Sequence, residues 1–557
     1  MTTTTQVDRP DNVLLVPGAM QNWSDLDHGP AGTSAALRAL VEQHVGDGSR
    51  VAVVGPHALD LISGLASQVS HLSVFTRSIP DAATIGAALS EVPSAKVFCG
   101  SVAHLTEQPE PYDVVIALDD VTRVLSLETE ALTWREMFDA VRRLVAPTGT
   151  LLLAVEHELG LHRIASLHSR YTANNDADWS VTATFDLSRP RTPKAVLAAA
   201  AEAGLTTQAL GSAYPAWDDQ TVLAYGAESF TPPMHAVLAA VTLGSPAFRR
   251  VGADPTRVTR AAVMSGRLAD LASGWVLVAS GVAGQGNSPT KAIVESTLHG
   301  GVATYTAVRA GVQRTLDDGE PTKIAIPAGS RLLSEDILDA CAAHDLPVLR
   351  RQLKQYAGWL AAAAPEGTLP AARSDARLDN VLVDGDRLLP LAPGDRERPL
   401  EAATWVGLAD LVHVIRARGA RHPWPSAMDD RTMLATIGAM AGLTLQDDLD
   451  RYLAAAPASQ EPALPAHDVP GLLAVIERLT ETNEALASRA QWFEDRLNTR
   501  EREMRSRASR HDEELKRVMR QQDVLRESAE DVRRSITYRT GNVVIGPMRK
   551  LRDRTKS

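Results

Sequence analysis

The chain has 557 residues, 44% hydrophobic and 22% charged, an ordinary globular composition that excludes collagen-like, mucin-like and wholly disordered chains and suits three or four domains. The net charge of −11 is uneven: residues 472–557 hold 20 Lys and Arg against 15 Asp and Glu, and residues 1–471 hold 37 against 53. An acidic body with a basic tail argues against nucleic acid as the partner of the body.

Residues 1–48 read as a leader followed by one helix, Ser34–Val45. From Arg50, short apolar runs alternate with amphipathic segments. Strands are expected at Arg50–Gly55, His71–Thr76, Lys96–Cys99, Tyr112–Leu118 and Leu151–Val155, with helices at Ala58–Val69, Ala82–Leu89 and Leu132–Leu144. Tyr112–Leu118 (YDVVIAL) is the clearest strand, being β-branched, apolar and bounded by polar residues. A turn is expected at Pro147-Thr148-Gly149, a helix at Thr192–Ala203 and a closing strand at Thr221–Ala224. Strands alternating with ten-residue helices mean a parallel α/β sheet with right-handed crossovers.

Residues 231–290 read as a connecting region with a helix near Arg257–Ser273, and 291–455 as a second, α+β domain. A Pro/Ala-rich linker covers 456–471. From Leu472 to Ile536, apolar residues recur at alternating steps of four and three. Fifteen of nineteen seam positions are apolar, and neither Pro nor Gly interrupts them, which is a coiled-coil pattern. Leu497 to Ala508 is a stutter of eleven residues over three turns, where the supercoil relaxes. Asn483 occupies an a position, a placement that favours a parallel dimer. Residues 537–557 form a basic tail with an amphipathic pattern that suits an anionic membrane surface.

Two cysteines, Cys99 and Cys341, lie far apart without CxxC spacing, so neither a disulfide framework nor a zinc site is expected, and a reducing cytoplasm is. The 15 histidines form no HExxH pair. The N-terminus MTTTTQVDRP lacks the apolar core of a signal peptide, and no run of about 18 apolar residues exists to span a bilayer.

The order strand, glycine turn, helix, strand, then YDVVIALDDV, then LVAPTGTLLLAVEHELGLHRI, resembles class I S-adenosylmethionine-dependent methyltransferases over about Val51 to Ala227. The resemblance implies a Rossmann-like sheet and S-adenosylmethionine as cofactor, lined by Gly55, Thr76, Ser101, Leu118 and Asp119. Asp119 or His157 would be the general base for methyl transfer to oxygen. The sequence departs from the family at three anchors. Val53 stands at the acid position of the glycine loop, with His57 and Leu59 at its later glycines. Phe75-Thr76-Arg77 stands where an acid holds the ribose, and Gly100-Ser101 where an Asp meets adenine. Two readings therefore stand open: an enzyme with a divergent pocket, or a methyltransferase fold that has lost its cofactor.

Ser374-Asp375-Ala376-Arg377-Leu378-Asp379-Asn380-Val381-Leu382-Val383-Asp384 resembles the catalytic loop of aminoglycoside-phosphotransferase-like kinases. Asp375 falls on the catalytic Asp and Asn380 on the metal-binding Asn, but Pro393 stands where a second metal-binding Asp is usual. The implied domain is a degenerate kinase-like remnant without a metal. An Asp/Asn turn before a Val-rich strand is the alternative.

Methyltransferase-like, kinase-like, coiled coil and basic tail, in that order, resemble the methyltransferase-kinases that terminate O-antigen chains. The resemblance implies work in cell-surface polysaccharide or glycolipid assembly, self-association through the coiled coil, and a glycosyltransferase or the inner membrane face as neighbour. The alternative is a non-catalytic scaffold that keeps both folds.

Overall fold

The structure is a computed structural model. It describes residues 10–541 apart from 22–23, 27–28, 106–108, 127, 131, 166–185, 246–255, 283–290, 298–299, 310, 318, 328, 395, 418–419, 426–427, 457–468 and 538. Most of the predicted tail, 537–557, and of the linker, 456–471, lies outside the described residues. The chain divides into two units, 1–475 and 476–557.

The first unit is built on one thirteen-stranded sheet. Its strands in chain order are β1 (Val13–Leu15), β2 (Arg50–Val54), β3 (His71–Thr76), β4 (Ala95–Cys99), β5 (Tyr112–Ala117), β6 (Val145–Glu156), β7 (Thr206–Tyr214), β8 (Val222–Tyr225), β9 (Gly274–Ser280), β10 (Ala292–Ser296), β11 (Val302–Val308), β12 (Gly311–Leu316) and β13 (Thr322–Ala325). Across the sheet the order is β1-β4-β3-β2-β5-β6-β9-β7-β8-β10-β11-β12-β13. The pairs from β1·β4 to β5·β6 are parallel. Their order β4-β3-β2-β5-β6 is the 3-2-1-4-5 of a Rossmann-like doubly wound sheet, as the sequence predicts. All pairs from β6·β9 onward are antiparallel.

Successive strand residues point to opposite faces, and the two faces have separate cores. Val51 and Val53 pack with Val74, Ile116 and Leu152 under α1 (Ala35–His44), α2 (Leu59–Gln68) and α3 (Ile79–Ala88). Ala52 and Val54 pack with Val115, Ala117, Leu151 and Leu153 on the other face, with α4 (Trp134–Arg142). The helix starts are those capping rules lead one to expect. Ser34, Ser78 and Thr133 each accept a backbone N–H of the first turn, and Thr133 with Glu136 forms a full capping box. Further on are α5 (Leu161–Ala165), α6 (Pro193–Glu202), α7 (Pro232–Gly244) and α8 (Thr256–Met264).

The structure departs from the sequence reading in three places. The leader is not merely a leader, because β1 pairs in parallel with β4. The connecting region 231–290 contributes β9, a fully buried strand between β6 and β7. Its run GWVLVAS has no alternation, since both of its faces are covered. The boundary at 291 falls inside the same sheet: β10 pairs with β8, Ala292 opposite Tyr225 and Val294 opposite Leu223. The strands read as the start of a kinase-like domain therefore extend the methyltransferase-like sheet.

Residues 333–456 build a third core on helices α9 (Leu333–Ala342), α10 (Leu346–Ala363), α11 (Ala371–Ser374), α12 (Leu400–Ala417), α13 (Asp430–Ala441) and α14 (Asp450–Ala455). The small sheet of β14 (Arg331–Leu332), β16 (Val381–Asp384) and β17 (Arg387–Pro390) lies beside them in sequence. A two-stranded sheet joins β15 (Thr368–Leu369) to β18 (Arg398–Pro399). Last comes α15 (Val469–Arg534), a single helix of 66 residues, roughly 100 Å long at 1.5 Å per residue. Among the described residues no helix is long and apolar enough to cross a membrane.

Candidate functional site

In an open parallel sheet, ligands bind beyond the C-terminal ends of the strands. The sheet brings Gly55, Thr76, Ser101, Leu118 and Asp119 to that edge, after β2, β3, β4 and β5. All five are buried.

Gly55 begins the turn from β2 into α2 at φ +92°, a backbone region where side chains are strained. A Cβ there would meet only Val124, at 3.9 Å, so the glycine is required by the turn rather than by close packing. Two residues later His57 is fully buried. Its Nδ1–H donates to Gly55 O (3.1 Å), and its Nε2 accepts the Leu118 N–H (3.2 Å). These partners fix the tautomer, because a carbonyl only accepts and an N–H only donates. Burial lowers the His57 pKa to about 4, so the ring is neutral at physiological pH. An imidazole thus bridges the ends of β2 and β5, where the family has glycine.

At the end of β3, Arg77 replaces the expected acid. It is 1% exposed and pairs with Asp25, also 1% exposed, through Nε and Nη2, each at 2.8 Å. Its Nη1 donates to Leu125 O (2.8 Å). Arg123 reaches the same Asp25 at 3.2 Å. Such a bidentate, charge-assisted pair is strong and directional.

Asp25 belongs to a strap formed by the leader. After β1, the Val16 N–H donates to Cys99 O and the Ser101 N–H to Pro17 O, both 2.9 Å. The Met20 N–H donates to Arg77 O (2.8 Å), and the Ile79 N–H to Met20 O (2.9 Å). The Ser24 hydroxyl and the Asp25 N–H both donate to Asp81, at 2.7 Å. Burial pushes the Asp81 carboxyl above its usual pKa, against these hydrogen bonds. Finally the Ala31 N–H donates to Pro56 O (3.0 Å), and the Ala58 N–H to Ala31 O (2.8 Å). The strap therefore crosses the ends of β4, β3 and β2 in turn. Gly100 admits it: φ is +141°, and a Cβ there would lie 2.8 Å from Pro17 O.

The expected bases Asp119 and His157, and the carboxylates beside them, are held in ion pairs and hydrogen bonds. Asp119 accepts from Trp217 Nε1 (3.0 Å) and lies 3.7 Å from Arg123 Nε. Asp120 accepts from Trp134 Nε1 (3.0 Å) and Arg189 Nη2 (2.8 Å). Glu156 pairs with Arg163 at 2.8 Å, and Glu158 with Arg191 at 2.7 Å. His157 bonds Ala272 O through Nδ1 (3.0 Å) and lies against the Trp275 ring, centroids 4.5 Å apart. Burial lowers its pKa.

The residues as they lie do not fit S-adenosylmethionine. The loop carbonyl and amide at Pro56 and Ala58 are bonded to the strap, His57 bridges the strand ends, and the ribose position carries an arginine already paired with Asp25. Losing three charge-assisted hydrogen bonds costs roughly 4.5–9 kcal/mol, enough to take a nanomolar site to somewhere between micromolar and millimolar.

The polar side chains of segment 374–384 are likewise paired with one another and with backbone. Asp375 is bound by Arg377 at 3.0 and 3.2 Å, and Asp379 by the same arginine at 3.2 Å. The Asn380 side chain donates to Asp375 O (3.0 Å) and Ala392 O (2.7 Å) and accepts the Ala392 N–H (2.8 Å). Both ends of its amide are therefore bonded to backbone. A cavity of about 60 Å³ beside it, lined by Glu295, Tyr305, Arg377 and Asn380, is far below the roughly 300 Å³ of ordinary ligand pockets. Among the described residues no cluster of His, Cys, Asp and Glu is arranged to hold a metal.

Sequence reasoning missed Asp25, Arg123, Arg189 and Trp217. Arg77 stood out only as the wrong charge in its place. Nothing local marks Asp25, whose partner lies 52 residues away.

No family model matches the sequence, and no curated protein matches it. Solved structures similar to this chain include methyltransferases and a cyclase. The [4+2]-cyclase SpnF is 13% identical, with 45% of this chain and 82% of that one covered and a TM-score of 0.26. The N-methyltransferase NodS from Bradyrhizobium japonicum WM9, solved with S-adenosyl-L-homocysteine, is 13% identical over 33% and 78% of the chains, TM-score 0.23. A SAM-dependent methyltransferase from Methanosarcina mazei is 11% identical over 43% and 96%, TM-score 0.25.

Proposed function

We propose that this chain is a non-catalytic scaffold: a methyltransferase-like sheet whose cofactor edge is closed by its own N-terminal strap, followed by a kinase-like remnant and a long helical rod. The observation that carries the reading is Asp25. A carboxylate from the strap, ion-paired with Arg77 and Arg123 at the strand ends, takes the site where the family places a ribose-binding acid. The position of the negative charge has moved from the sheet to the strap, and the Arg77 charge is paired without a ligand.

The setting we propose is cell-surface polysaccharide or glycolipid assembly at the inner face of the membrane. The order of parts and the basic C-terminal tail support it. In such a role the head offers surfaces to an assembly enzyme rather than a methyl group to a sugar.

Equilibrium dialysis of the full chain against S-adenosylmethionine and its demethylated product tests the reading. Neither ligand is expected to bind below millimolar concentration. A dissociation constant of about 100 μM or tighter would restore the alternative, an active methyltransferase with a divergent pocket.

A further inference from the structure

The long helix carries an inference independent of the reading of the head. Every described residue from Ile476 to Arg534 is solvent-exposed, including the whole apolar seam: Leu486 is 56% exposed, Leu497 65% and Leu525 68%. A stripe of large apolar side chains over roughly 100 Å is not left in water without a partner.

We propose that α15 pairs with α15 of a second copy of this chain as a parallel, in-register, two-stranded coiled coil. Three features of the seam select this occupant. First, its two amide layers are self-complementary. In register, Asn483 meets Asn483 and Gln522 meets Gln522, and amides both donate and accept. An antiparallel pair overlapping end to end sets Asn483 against Leu525 and Gln522 against Leu486, leaving both amides without polar partners. Second, Ile476 at a, with leucines 472, 479 and 486 at d, is the combination that favours two strands.

Third, the flanking charges match. In a parallel pair each g residue faces the e residue five positions further along the partner. Here that joins Arg489 to Glu494, Arg496 to Glu501 and Arg507 to Asp512. No g–e pair in this register joins like charges. Glu501 and Asp512 are already held on the helix by Arg505 (2.6 Å) and Lys516 (2.9 Å), and Arg496 stacks over Trp492 at 4.9 Å. The ion pairs across the seam therefore extend networks present in the single chain. Arg500, at d, sits in the stutter, where its stem covers the seam and its guanidinium reaches water.

The test uses the full chain, whose two native cysteines are buried. Light scattering is expected to give the mass of two chains. Oxidised Leu479→Cys is expected to form a covalent dimer, and a mixture of Leu479→Cys with Ala529→Cys to give no link between the two positions. Arg489→Glu with Arg496→Glu is expected to weaken the dimer about tenfold, and a partner chain carrying Glu494→Arg with Glu501→Arg to restore it. A monomer, a mass of three or more chains, a 479–529 link, or reversed charges that fail to rescue each other would overturn the proposal.

Discussion

Replacing Asp25 with Ala is expected to lower the unfolding free energy by about 3–5 kcal/mol, because one buried carboxylate serves two buried guanidinium groups. Removing it takes the bidentate partner from Arg77 and leaves Arg123 the longer, 3.7 Å contact to Asp119, and that penalty exceeds the net value of the pair itself. Arg77→Ala is expected to cost a similar amount. The double variant should cost clearly less than the sum, since the second change no longer isolates a charge. Chemical denaturation of the three variants, followed by tryptophan fluorescence, checks this. Additive losses, or a loss under 1 kcal/mol for Asp25→Ala, would mean that the strap is not anchored through this residue.

The second large effect is a pH dependence centred on His57. Its folded pKa is about 4, depressed from 6.5 by burial. Between those values the unfolded chain takes up a proton that the folded chain refuses. The stabilisation is therefore complete above about pH 6.5 and is lost as the pH falls to 4. A difference of about 2.5 pKa units corresponds to about 3 kcal/mol. A cationic ring would also lose the lone pair that accepts the Leu118 N–H, so acid should loosen the ends of β2 and β5 together. Denaturation midpoints between pH 7.5 and 4.5 are expected to fall in the parent chain and to fall less steeply in His57→Gln, whose amide carries no charge at any of these pH values. Equal slopes in the two proteins would show that His57 is not buried as a neutral bridge.

The parallel half of the sheet is legible in the sequence because its strands carry both signals that matter: a β-branched apolar run and polar residues at each end. Tyr112–Ala117 and His71–Thr76 fall almost where periodicity puts them. The antiparallel half is legible at β8, Val222–Tyr225, where a closing strand is expected over Thr221–Ala224, but not at β9. Gly274–Ser280 is covered on both faces and shows no alternation, and only the pairing with β6 and β7 reveals that it is a strand. The boundary at 291 failed for a related reason: a composition change marks new local structure but does not say whether its strands join an existing edge.

The site divides in the same way. The His57 and Leu59 positions and Arg77 are visible in the sequence as departures from the expected pattern. The contacts that surround them run across long sequence separations. Arg77 reaches back 52 residues to Asp25, and the Leu118 N–H meets His57 61 residues earlier. The segment around Asp25 has neither periodicity nor a motif, because a strap takes its hydrogen bonds from the strand ends it crosses and needs no regular pattern of its own. Asn380 shows the opposite limit. The sequence suggests a metal ligand there, yet all three of its side-chain hydrogen bonds go to backbone.

The central claim is that the strap covering the ends of β2, β3 and β4 is a fixed part of the fold. Amide hydrogen exchange of the full chain, with and without millimolar S-adenosylmethionine, tests it most directly. The amides of Val16, Met20, Asp25 and Ala31 are expected to be protected to nearly the same degree as the strands beneath them, and unchanged by the ligand. Rapid exchange at these four amides, or a change in their exchange on adding the ligand, would contradict the account.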